Sequence, residues 1–117
     1  MMDGMDEQVW QPLKTVEGLS LQGGEGRFRL LETAESGVAY LIHYPAGVAS
    51  PPHAHDHDSI VYVLSGRLRG TVDGVEAELE PGDSALHPRG VTHHVEALTD
   101  SMWVEFKSPR PARSPLA

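Results

Sequence analysis

No window of a dozen residues in this chain carries a helical period. Its apolar residues fall into short runs cut apart by turn formers, and twelve Gly and nine Pro supply the cuts. Runs rich in β-branched and aromatic residues, bounded by Gly, Pro, Asp and Ser, are the signature of strands. Residues 28–31, 38–44, 60–64, 67–72, 75–79, 84–87, 93–98 and 102–106 fit it. Asp73-Gly74 between two alternating runs is a hairpin signal. Around that turn Val72, Val75, Ala77 and Leu79 read as a core face, and Arg67, Arg69, Glu76, Glu78 and Glu80 as a wet one. About eight short strands at this spacing suggest an all-β sandwich or small barrel, and 117 residues suit one core rather than two. The acidic segment 1–8 reads as a flexible N-terminus, 9–107 as the β domain, and the Pro/Arg/Ser-rich 108–117 as a flexible, extended tail.

A formal net charge of −8 argues against nucleic acid or an anionic membrane surface as partner. Cysteine is absent, which excludes disulfides, thiolate nucleophiles and Cys-ligated zinc. No apolar run is long enough to span a bilayer as a helix, and no basic-then-apolar leader is present. The expectation is a cytoplasmic protein acting on a small molecule.

Chemistry concentrates in the histidines. His53-Ala54-His55-Asp56-His57 alternates three imidazoles over five residues, and His93-His94 forms a second cluster behind Pro88 and Gly90. Extended backbone points alternate side chains one way, so His53 and His55 can face one object. Neutral imidazole is the commonest metal ligand, and two separated clusters closing on one ion make a stronger signal than either alone. His94, next to His93, should face the other side of its strand.

The spacing around these clusters resembles the cupins, small jelly-roll β-barrels with a metal in the mouth. Gly47, five residues, His53-Ala54-His55, three residues, Ser59, six residues, Gly66 matches their first motif, with Ser59 where a glutamate is usual. Gly82, Pro88, Gly90 and His93 match the second motif at every spacing, with Ala97 where asparagine is usual. The resemblance implies a single jelly-roll domain, a homodimer, and a divalent ion held by His53, His55 and His93. Three imidazoles suit Fe, Mn, Ni or Zn. The strings Tyr62-Val63-Leu64-Ser65-Gly66-Arg67 and Pro81-Gly82-Asp83-Ser84 are similar to cupins that linearise unsaturated uronates.

Ser59 is the departure that shapes the functional reading. A short neutral hydroxyl in place of a carboxylate leaves three neutral ligands, so the ion keeps its full 2+ charge and favours an anionic or dicarbonyl chelate. This resembles the three-His sites of some cupin dioxygenases, the leading expectation. The alternatives are a non-oxidative isomerase, lyase or hydrolase on a sugar acid or carbonyl compound, and a small-molecule or metal binder without turnover. Outside the motif, Glu105, two residues from Trp103 on the same strand face, is the best acid/base candidate, and uronate-linearising cupins carry an acid on a comparable strand. His57 is the other proton-transfer candidate, read as a loop histidine at the mouth. His87 reads as a pocket or structural histidine. Tyr40, Ile42, Tyr62 and Trp103 are candidate barrel-lining residues.

Overall fold

A computed structural model describes residues 10–117; the acidic segment 1–8 lies outside the described residues. Eleven strands and no helix are present among them: β1 (Gln11–Leu13), β2 (Thr15–Val16), β3 (Leu19–Ser20), β4 (Gly26–Thr33), β5 (Val38–Tyr44), β6 (Asp58–Ser65), β7 (Leu68–Val72), β8 (Val75–Leu79), β9 (Ser84–His87), β10 (His93–Ala97) and β11 (Ser101–Ser108). All eight runs expected from the sequence are strands. The three that the pattern does not reveal, β1 to β3, are two or three residues long, too short for alternation to show.

A six-stranded sheet ordered β1-β4-β5-β11-β6-β9 and a three-stranded sheet ordered β10-β7-β8 pack as a jelly-roll-like β domain. Isolated bridges from Ala49 to Glu96 and from His53 to His93 tie the segment before β6 onto β10. Alternation decides which side chains go in. On β11, which pairs with both β5 and β6, Ser101, Trp103, Glu105 and Lys107 all face inward and are buried. Val61 and Val63 of β6 and Tyr40, Ile42 and Tyr44 of β5 complete the core around Trp103. Tyr44 and Trp103 meet edge to face at 4.8 Å, the geometry that the ring quadrupoles favour.

Two expectations need correcting. Tyr62 does not line the barrel: it stands on the outer face of β6, 48% exposed, beside Ile60 and Leu64. The pattern of β6 is strict alternation, and Ser59, Val61 and Val63 hold the inner positions. The hairpin at Asp73-Gly74 forms, with positive φ at both turn residues, but β8 has no core face. It is an edge strand, with Val75 71% exposed and Leu79 alone of its apolar residues packed against the core.

Gly66 makes the turn from β6 to β7 with φ of +84°, and a Cβ there would lie 2.2 Å from the Asp100 carbonyl oxygen. Only glycine meets both conditions.

Candidate metal centre

The segment that carries the first two histidines is extended but is not a regular strand. Its position is set by a reciprocal backbone pair: the His53 N–H donates to the His93 carbonyl at 3.0 Å, and the His93 N–H donates back at 2.8 Å. The two rings lie opposite each other, 4.3 Å between centroids. Two residues on, His55 points to the same side, 4.7 Å from His53 and 5.1 Å from His93. Its carbonyl accepts from the Gly90 N–H at 2.8 Å, and Gly90 makes that turn at φ +76°. His53, His55 and His93 each bring one ligand atom within 4.8 Å of the others, and all three residues are buried.

The donor set fits a divalent ion. The His53 Nδ1 faces the Pro51 carbonyl at 2.7 Å, the His93 Nδ1 faces the Val91 carbonyl at 3.3 Å, and the His55 Nδ1 contacts the Glu17 carboxylate. Each acceptor fixes the proton on Nδ1 and leaves the Nε2 lone pair free, the arrangement seen in metal-ligating histidines. Burial, then neighbouring cationic groups, pull His55 down to about 2. Burial, then His87 and His53, pull His93 down to about 3. The His53 pKa is lowered too, chiefly by burial. All three are therefore neutral ligands at ordinary pH.

Ser59 is fully buried, and its Oγ accepts from the Lys107 Nζ at 3.0 Å. Lys107 is buried as well, and its ammonium also donates to Glu105 Oε2. The Trp103 Nε1–H donates to the other Glu105 oxygen at 3.0 Å. A buried Ser59–Lys107–Glu105 array thus stands where the resemblance places a carboxylate ligand, and Ser59 is committed to an ammonium. Burial pushes the Glu105 carboxyl up, but the Lys107 ammonium beside it overrides this and holds it well below the usual carboxylate range. Glu105 is an anion at any working pH.

Glu105, Trp103 and His87 line the small space beside the three histidines, together with Val16 and Leu116. His87 stacks on His93 at 4.1 Å, and its Nδ1 has no hydrogen-bond partner among the described residues. His57 is elsewhere. It stacks on His55 at 4.4 Å and is 1% exposed; Asp56 Oδ1 lies 3.8 Å from its Nδ1, and among the described residues neither ring nitrogen has a hydrogen-bond partner. It faces an outer cleft lined also by Glu17 and Asp56. Asp58 is exposed, and its Oδ1 accepts from the Arg89 N–H.

Sequence reasoning passed over Glu17 and Lys107. Alternation on β11 could have found Lys107, since it extends the inward series of Trp103 and Glu105. Nothing local marks Glu17, which reaches His55 across 38 positions of chain.

These histidines set an acid limit on stability. His57 is lowered to about 4 by burial and Lys107, and His87 is lowered as well. The unfolded chain takes up protons near pH 6.5, while the fold keeps these rings neutral, so stability present above pH 6.5 is lost as pH falls below it. Each such histidine contributes a slope of about 1.4 kcal/mol per pH unit between its two pKa values. In chelator-treated protein, melting temperature should hold from pH 8 to 7 and then drop steeply from pH 6.5 to 4.5. A flat profile across that window would contradict the neutral cluster.

Residues 40–106 match the cupin domain family. KdgF from Halomonas sp. has a similar structure, with a TM-score of 0.72, 28% identity, and 74% of this chain and 81% of that one covered. An RmlC-like cupin from Shewanella frigidimarina aligns with a TM-score of 0.71, 31% identity, and 75% and 79% covered. Dimethylsulfoniopropionate lyase DddQ from Ruegeria pomeroyi is 34% identical over 61 residues, which are 51% of this chain and 30% of that protein. The chain spans under a third of that relative's length.

Proposed function

The chain belongs to the cupin domain family, and from that premise we propose a metal-dependent, non-oxidative isomerase or lyase acting on a small dicarbonyl compound or sugar acid. The observation that carries this reading is the buried Glu105 carboxylate, kept ionised by Lys107 in the same small space as the three histidines. A divalent ion on His53, His55 and His93 would supply Lewis acidity or, as iron, electron transfer. Glu105 supplies the base. Trp103 and Lys107 each hold one of its oxygens, so the carboxylate is oriented before substrate arrives. An ionised carboxylate in this position can take a proton from a carbon next to a carbonyl group. His87, with a free Nδ1 on the same wall, can donate to or accept from the substrate's oxygen. The lyase name of the Ruegeria pomeroyi relative supports a non-oxidative reaction.

Replacing Glu105 by Gln keeps the shape and removes the base. With a panel of small dicarbonyl and sugar-acid substrates, Zn(II)-loaded protein should turn over one class without oxygen. Glu105→Gln should lower kcat by about 10²–10⁴-fold at unchanged metal content. An unaffected variant removes Glu105 from the chemistry.

The neutral triad also suits a dioxygenase, the reading that Ser59 favours by bringing no carboxylate to the ion. Oxygen uptake by the iron-loaded protein, with substrate turnover lost under anaerobic conditions, would select it. A compound that raises the melting temperature and is recovered unchanged would select a binding module.

A further inference from the structure

Resting on the metal-centre reading, we infer that residues 114–117 form a removable roof over the histidine cluster, with Leu116 as the plug that decides what reaches it. The space beside His53, His55 and His93 amounts to about 20 Å³, room for one water and far too little for a dicarbonyl or sugar acid. Two side chains of the buried core cluster help to close it. Val16 of β2 and Leu116 are bridged to each other, are 4% and 5% exposed, and both line the space. Leu116 is an apolar side chain in a Pro/Arg/Ser-rich segment, and it is spent on covering a polar, metal-competent wall.

The roof is held lightly. The Lys14 and Thr15 N–H groups donate to the Ala117 main-chain oxygen at 2.6 and 2.8 Å, and the Ala117 N–H donates to the Thr15 carbonyl at 3.1 Å. The Glu17 N–H donates to the Pro115 carbonyl at 2.8 Å. A few backbone hydrogen bonds and one leucine can open locally while the barrel stays folded. On the outer side of the same segment lies a cleft of about 560 Å³ lined by Glu17, Asp56, His57, Arg113 and Ser114. Lifting the roof joins this cleft to the space at the histidines and makes a site of substrate size.

Glu17 connects the roof to the ligands. Its backbone is held by Pro115 and its carboxylate accepts from His55 Nδ1, so the segment that admits substrate also steadies the turn that orients one ligand. Leu116 therefore acts as a specificity-determining residue, since its side chain is the wall a substrate must displace.

Carbethoxylation of histidines by diethylpyrocarbonate, read residue by residue by mass spectrometry, tests this in the metal-free protein. A chain lacking residues 114–117 should label at His53, His55 and His93 about tenfold faster than the full chain, and Leu116→Ala should move the same way. His94, which lines neither space, should keep its rate. Unchanged rates at the three cavity histidines overturn the inference, as does acceleration of His94 by the same factor in both variants. Zn(II) saturation of the full chain is the separate arm. If zinc gives these histidines no protection, the metal-centre reading fails, while the metal-free labelling ratio still decides on the roof.

Discussion

Lys107→Met is expected to destabilise the fold by about 3–5 kcal/mol, the usual effect of deleting one partner of a buried ion pair. Lys107 has no exposed surface, and its ammonium is shared between Ser59 Oγ and Glu105 Oε2. Methionine fills most of the volume, so the loss reads charge rather than a cavity. It strands the Glu105 carboxylate, 7% exposed, with the Trp103 indole as its remaining donor. Burial then dominates, and the Glu105 pKa rises instead of falling. In a domain of about 100 residues each kcal/mol shifts the melting temperature by about 4–8 °C, so a loss of about 12 °C or more is expected at pH 7. Adding Glu105→Gln should restore much of it, because the stranded charge is then gone. A single variant that melts within a few degrees of the parent, or a double variant no better than the single, would show that the pair is not what holds this wall.

The strands were legible because the pattern that defines them is local. The runs at 38–44, 75–79 and 84–87 coincide with β5, β8 and β9, and the others miss at least one end by one or two residues. What alternation does not tell is which face meets a partner. Val75 and Tyr62 looked inward only on the assumption that every apolar face finds cover, yet an edge strand and an outer sheet face have none. The histidine triad was legible for a similar reason: glycine and proline at fixed offsets fix the turns that bring His53 and His55 opposite His93. The groups around the triad were not. Glu17 and Leu116 reach it through contacts that depend on where a two-residue strand and a proline-rich segment settle, and no local pattern encodes that. Composition marks the proline-rich segment as a tail, yet Leu116 within it is buried.

The second large effect is at the triad itself. His93→Ala should lower Zn(II) or Mn(II) affinity by well over 100-fold, since even partners that merely orient a ligand are worth about 10–100-fold. Glu17→Gln, which leaves the His55 Nδ1 with a weaker acceptor, should fall in that lower range, and His94→Ala should change nothing. Isothermal titration gives the affinities, and thermal melts give a second reading. Metal at 100 times Kd should stabilise the parent by about 2.7 kcal/mol and His93→Ala hardly at all. The variant is a clean probe because His93 meets His53 in two ways. The ring lies against the His53 ring, but the reciprocal N–H to carbonyl pair belongs to the backbone. Alanine removes the ring and keeps the pair, so His53 and His55 stay where the fold puts them. Full metal occupancy in His93→Ala would mean that the ion sits elsewhere. Loss of folding along with the metal would mean that the ring, not the backbone pair, sets the position of His53.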